Sequence, residues 1–288
     1  MSEIKYVTPK NLEEAFKAVE KTKGLAKFVA GCTNVIPSMR AEKISPELLI
    51  DLSSFEELKY IREESGAIAI GALTTISEIA ASEIIRKQIP ILYYAASSLG
   101  NPLTRNRATV GGNLADASPA ADMAPPLLAI EASVHTKCGG GKKRKISLEK
   151  FFLGPNKTVL AKDEIITQIS FLKPKDSAKG SYIKLGLRNS MAISVVSIAV
   201  MLEMKGKVCQ KARIALGAVA PIPIRAYRVE KNLEGKEINK EIIQECSAIV
   251  KEEISPISDI RASAEYRELA TSVLFRRAIQ EALEGEGK

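Results

Sequence analysis

Two short segments carry residue types suited to holding an anion. Val29-Ala30-Gly31-Cys32-Thr33-Asn34 follows the apolar, β-competent run Ala26 to Ala30. Gly31 permits a sharp turn there, and the amides beyond it, with the Thr33 hydroxyl, can point at a negative group. In Thr109-Val110-Gly111-Gly112-Asn113, paired glycines remove both Cβ atoms, so a phosphate can touch the backbone between the flanking polar groups of Thr109 and Asn113. Either segment alone reads equally well as an ordinary turn. Two in one chain, the second continuing through Asn113 to Asp122, favour a ligand.

Other chemistry finds little support. Gly139-Gly140-Gly141-Lys142-Lys143 superficially resembles a P-loop, but Thr136 occupies the place of its first glycine and Lys143 that of the magnesium-binding Ser or Thr. The run Lys137 to Lys145 reads instead as a glycine hairpin with a solvated basic tip. No G-x-G-x-x-G follows a strand, and G-x-S-x-G is absent. His135 is the only histidine and sits in a β-type context, where most are structural. The four cysteines, Cys32, Cys138, Cys209 and Cys246, form no C-x-x-C pair, so spacing suggests neither a zinc ribbon nor an iron–sulfur site. With seven Phe, seven Tyr and no Trp, aromatic interleaving for nucleic acid is lacking. Any chemistry is expected to come from a bound cofactor.

The elements that must position these residues follow from periodicity and caps. The chain has 288 residues, 45% hydrophobic and 26% charged, an ordinary globular composition with room for about two domains. The surplus of eight positive charges is compatible with anionic ligands or partners. Ile4 to Val7 predicts a strand, and Asn11 with Glu14 caps a helix that Gly24 closes. Leu48 to Asp51 and Ile68 to Ala72 read as strands, Thr75 with Glu78 as a second cap, and Ser82 to Ser98 as one helix. Asn101 to Pro126 lacks either periodicity and reads as a long functional connection. From Lys184 the pattern changes. Ala192 to Met204 and Val208 to Val219 read as a hairpin turning at Lys205-Gly206-Lys207. Helices follow at about 225–233, 239–252 and 263–283, the last with Tyr266, Leu269, Ala270, Val273 and Leu274 on its apolar face. A boundary is expected at Pro174 to Lys179. The polar start is no secretory signal, and the longest apolar run, Ala192 to Leu202, is too short for a transmembrane segment. Scattered cysteines without an export signal point to a cytoplasmic protein.

KFVAGCTNVIPSMR, IGALTTISEI, TRNRATVGGNLADASPAADMAPPLLAIEA, FFLGPNKTVLAKDEIITQI, KLGLRNSMAISVVSIAV, ARIALGAVAPIPIRA and ISDIRASAEYRELATSVLFRRAI occur in this order across nearly the whole chain. Together they resemble the FAD-binding medium subunit of molybdenum hydroxylases, of the xanthine dehydrogenase and aerobic carbon monoxide dehydrogenase type. The resemblance implies an α+β fold: a two-part FAD-binding domain of the vanillyl-alcohol-oxidase (PCMH) type over residues 1–175, with subdomains of about 1–55 and 56–175, and a C-terminal α+β domain over 180–288, with an antiparallel sheet and helices.

It also implies a site. The flavin diphosphate would lie between the two glycine segments, contacted by Lys27, Phe28, Val29, Ala30, Gly31, Cys32, Thr33, Asn34 and Val35 and by Thr109, Val110, Gly111, Gly112 and Asn113. Leu99, Asp116, Ser118 and Asp122 would lie near the cofactor, with Asp122 bonding ribose or flavin. Ile165 or Ile166 would touch the adenine side, and Lys184 would approach the isoalloxazine. Two positions depart from the pattern: Cys32 stands where glycine is common, and Asp116 where a small or hydroxylic residue is common. The implied FAD is non-covalent, and no 4Fe–4S cluster is expected in this chain. The implied partners are a large molybdopterin subunit and a small 2Fe–2S subunit, in a dimer of heterotrimers. Electrons would pass from the 2Fe–2S clusters through FAD to an external acceptor. A self-contained flavin oxidoreductase and a flavin-free scaffold are the alternatives.

Overall fold

A computed structural model of the chain describes residues 4–285. It opens with β1 (Lys5–Val7), α1 (Leu12–Glu20), β2 (Ala26–Val29), α2 (Val35–Arg40) and β3 (Leu48–Asp51). The three strands pair in parallel in the order β1-β3-β2. The Asn11 side chain accepts the Glu14 amide at 2.9 Å and the Glu14 carboxylate accepts the Lys10 amide at 2.9 Å, so α1 starts at its predicted cap. It ends sooner than predicted, on Lys21 rather than Gly24.

A second sheet with a helical layer follows: β4 (Ile61–Glu64), β5 (Ala67–Gly71), α3 (Ile76–Ala81), α4 (Glu83–Gln88), α5 (Pro90–Ser98), α6 (Pro102–Arg105), α7 (Val110–Asp116), α8 (Ala124–Ala129), β6 (Ser133–Cys138), β7 (Lys143–Ser147), β8 (Phe152–Gly154), β9 (Lys157–Thr158) and β10 (Glu164–Leu172). Five of these strands pair antiparallel in the order β4-β5-β10-β6-β7, while β8 and β9 form a separate ribbon. The Thr75–Glu78 capping box forms as expected. The single helix expected over Ser82 to Ser98 is two. Pro90, which has no N–H to donate, opens α5, and Ile89 before it leaves the helical region with φ −136° and ψ 64°.

The stretch Asn101 to Pro126 is not the irregular connection its composition suggests, because it folds into α6, α7 and the start of α8. Asn101 and Thr109 each cap the amide three residues on, at 2.8 and 3.1 Å. Its small side chains hid the pattern: Leu114, Ala117, Ala121 and Ala124 are all buried in the main core, yet alanine contributes little hydropathy contrast. The glycine hairpin between β6 and β7 is as expected, with Gly140 and Gly141 at positive φ. His135 on β6 hydrogen-bonds Ser170 on β10 through Nε2 at 2.7 Å, and burial, with Lys145 nearby, holds its pKa below the usual 6.5. It is a neutral, structural histidine.

After Leu172 the chain enters a different sheet. β11 (Ala178–Leu185), β12 (Val196–Lys205), β13 (Val208–Gly217) and β14 (Ile224–Arg225) form an antiparallel meander packed by α9 (Tyr227–Leu233), α10 (Lys240–Glu252) and α11 (Ala264–Glu284). The hairpin turns at Gly206, φ 59°, as the sequence indicates. The buried side of α11 differs from the predicted one. Tyr266 and Leu269 are 50% and 57% exposed, whereas Ala270, Leu274, Phe275, Ala278 and Ile279 are buried. A buried arginine rotates the face. Arg267, 2% exposed, donates through Nη1 to the Val195 and Ala218 carbonyls at 2.5 and 3.0 Å and through Nη2 to Asp259 at 2.8 Å.

The meander is tied to the preceding layer by charge. Glu131, just after α8, receives Lys211 at 3.2 Å and Arg213 at 2.7 Å from β13. No helix among the described residues is long and apolar enough to cross a membrane.

Candidate functional site

The first bend is built by the end of β2. Gly31 presses against the turn between α6 and α7; a Cβ there would sit 1.8 Å from the Arg107 carbonyl oxygen. Beyond it, Cys32 takes the left-handed conformation, φ 58°. The backbone amides of Cys32, Thr33, Asn34 and Val35 have no hydrogen-bond partner among the described residues. Thr33 and Asn34 are exposed, and Cys32 and Val35 are half-buried. From the far side, the Asn34 amide group donates to the Asp116 carboxylate at 2.5 Å, fastening the bend to the end of α7. The two segments singled out in the sequence therefore lie against each other.

The second segment has a different character from the one expected. It is the first turn of α7, and its amides are already satisfied. Val110 donates to Thr74 O at 3.1 Å, Gly111 to Ala72 O at 2.9 Å, and Asn113 to Thr109 O at 2.9 Å. Gly112 donates to the Thr109 hydroxyl at 3.1 Å. Free amides come from the first bend alone, and the second contributes shape. Its glycines divide the work. Gly111 is buried, and a Cβ would meet Ala72 O at 2.7 Å, so the fold itself requires glycine there. Gly112 is exposed, and a Cβ would meet only the Thr109 hydroxyl, at 2.9 Å. One acceptor is left over: Asn113 Oδ1 is buried without a partner. Such a group costs about 1–3 kcal/mol. Bare backbone beside an orphaned acceptor and unpaired amides fits a ligand bearing both phosphate and hydroxyl groups.

The remaining sequence-derived residues lie on β2, around α5 to α8, and on β10 and β11. Lys27, on β2, is half-buried and has no ion pair among the described residues. Phe28, half-buried, packs edge-on against Phe16 with ring centroids 6.1 Å apart, Val29 is buried, and Ala30 lies against the same core as Phe28. Ser118 turns its hydroxyl to the Ala120 amide at 3.3 Å. Leu99 is buried as the cap of α5, and its carbonyl accepts Arg105 Nη1 at 3.0 Å. Ile165 and Ile166, on β10, are both buried, Ile165 in the core of the parallel sheet and Ile166 in the main core. Their side chains are packing residues.

Asp122 and Lys184 find each other. The ammonium of Lys184, on β11, lies 2.6 Å from the Asp122 carboxylate, with both side chains 8% exposed. Ser194 donates to the same carboxylate at 2.6 Å, and Lys184 also reaches Ser98 O at 3.3 Å. Burial raises the Asp122 pKa and Lys184 opposes the shift. The pair joins the α7–α8 segment to the meander, a role that residue types alone do not announce.

Sequence reasoning missed the neighbours of Cys32. Tyr6 donates to Asp51 at 2.5 Å, and that bond pushes its phenol up to about 12. Burial raises the Cys32 thiol, the Asp51 charge adds to this, and Arg107 opposes it. Cys32 is thus a protonated thiol at neutral pH and no nucleophile. Its left-handed backbone carries a penalty that glycine avoids. Cys32→Gly is expected to raise stability by about 1 kcal/mol, read as a higher Tm of the flavin-free protein; an unchanged or lower Tm would contradict the strain. No group of three His, Cys, Asp or Glu among the described residues could hold a metal.

Comparison with known proteins bears on this site. The family described as the FAD binding domain in molybdopterin dehydrogenase matches residues 2–173, and the CO dehydrogenase flavoprotein C-terminal domain matches 181–282. The glyceraldehyde dehydrogenase medium chain of Sulfolobus acidocaldarius is 32% identical over 97% of this chain and 98% of its own. The xanthine dehydrogenase FAD-binding subunit of Escherichia coli O157:H7 is 30% identical over 91% of this chain and 90% of its own. In a solved carbon monoxide dehydrogenase of Hydrogenophaga pseudoflava, one chain superposes with a TM-score of 0.95 at 30% identity, covering 98% of both chains. Residues 2–173 accordingly match an FAD-binding domain, and the chain combines helices with antiparallel sheets as an α+β fold. This chain belongs to the FAD-binding medium subunits of the molybdenum hydroxylases and is an oxidoreductase component.

Proposed function

We propose that the chain relays electrons from 2Fe–2S clusters of a small partner subunit, through FAD, to an external acceptor, while a large molybdopterin subunit transforms the substrate. The observation that carries the reading is the pair of bends fastened by Asn34 and Asp116, with four unpaired amides at their seam. Cys32 to Val35 would hold the diphosphate, Gly112 would let it approach, and Asn113 Oδ1 would accept from a hydroxyl. FAD, when bound, would supply the redox chemistry, taking electrons from the clusters and passing them to the acceptor. Asp122 and Lys184 would flank the ring end of the pocket. There the ammonium, held by the Asp122 carboxylate and the Ser98 carbonyl, would favour negative charge on the cofactor. The scarcity of acid–base groups agrees with this role, since no bond to carbon is broken here. The assembly would be a dimer of heterotrimers in the cytoplasm.

Two measurements test the reading. The purified chain, incubated with FAD and desalted, is expected to keep a yellow flavin spectrum. Expressed with its genomic neighbours, it is expected to co-purify with a molybdopterin chain and an iron–sulfur chain. A protein that stays colourless after reconstitution would be a scaffold. One that oxidises a small molecule unaided would be a self-contained enzyme.

A further inference from the structure

We infer that the Arg107 guanidinium is the counter-charge of the FAD diphosphate, completing the cradle that the Cys32–Val35 amides begin. This rests on the reading of those amides as the diphosphate site. A dinucleotide diphosphate brings two negative charges, and amides alone neutralise neither.

Arg105 is committed to the Leu99 carbonyl. Lys27 lies on β2, ahead of the bend. Arg107 is exposed and has no ion pair among the described residues. Its backbone is the surface against which Gly31 packs, so its side chain starts from the seam between the bends. Its charge is felt at Cys32, Asp51 and Tyr6. Asp51 does not claim it: that carboxylate already accepts the Tyr6 hydroxyl at 2.5 Å, and the Ser53 amide and hydroxyl at 2.8 and 2.9 Å. A planar guanidinium without an ion pair, carried by the turn on which Gly31 packs, suits bidentate binding of phosphate oxygens, which a lysine cannot reproduce.

The test compares wild type, Arg107→Ala, Arg107→Lys and the distant control Lys251→Ala by calorimetric titration with FAD and with ADP, which carries the diphosphate without the flavin. Arg107→Ala is expected to weaken both ligands by about tenfold to a hundredfold at low salt. The gap should narrow at about 1 M salt, where the charge is screened. Arg107→Lys should recover part of the loss, Lys251→Ala should match wild type, and the flavin-free Tm should stay unchanged. Wild-type affinity in Arg107→Ala would overturn the assignment, as would a loss equal at all salt concentrations and equal in the lysine variant. Wild type failing to bind FAD at all would instead overturn the underlying reading of the site.

Discussion

Gly31→Ala is expected to cost about 3 kcal/mol of stability and to lower FAD affinity more than about a hundredfold. The added methyl would stand 1.8 Å from the Arg107 carbonyl oxygen and 2.4 Å from its carbon. Both atoms are backbone, so no rotamer relieves the clash; the bends must separate, and with them the Asn34–Asp116 bond. Gly112→Ala is the informative contrast. Its methyl meets only the Thr109 hydroxyl, so the fold should survive while a ligand needing bare backbone is repelled. Thermal melts and fluorescence titration with FAD separate the two effects. A Gly31→Ala protein with wild-type Tm and affinity would show that the seam is not closed as described.

The second large effect is expected at the buried ion pair. Asp122→Ala leaves the Lys184 ammonium without its carboxylate, and Lys184→Met leaves a carboxylate whose ionisation burial already disfavours. Each single change should cost about 3–5 kcal/mol, because the survivor is an uncompensated buried charge. The double variant should cost clearly less than the sum, since both charges are gone. Urea unfolding of the four proteins measures this coupling. Additive losses would mean that the two groups do not act as a pair.

Much of this fold can be read from the sequence because its signals are local. Asn11, Thr75 and Gly206 act within three or four residues of themselves, and all three do what their types predict. The failures share a different cause. Helices α6 to α8 are only four to seven residues long, α6 buries nothing, and alanines such as Ala117, Ala121 and Ala124 blur the period that Leu114, Leu127 and Leu128 would otherwise show. On α11, Arg267 is buried because carbonyls of β12 and β13 surroundings and Asp259 receive it, a destination periodicity cannot show. The site was half legible. The two glycine segments stand out by composition, yet whether their amides face a ligand or a neighbouring strand depends on Ala72 and Thr74, far away in the chain. Arg107 carries no local signal at all, and Ile165 and Ile166 look the same whether they line a pocket or fill a core.

The ion pair also sets an order of events during synthesis. Asp122 leaves the ribosome 62 residues ahead of Lys184 and 72 ahead of Ser194. Until β11 has emerged, its carboxylate lacks both Tyr182 and Lys184 and stays hydrated. On the proposed function, the ring end of the site is therefore completed only by residues well past the two glycine segments, so a chain ending before β11 is expected to hold FAD more weakly, read as flavin lost on desalting.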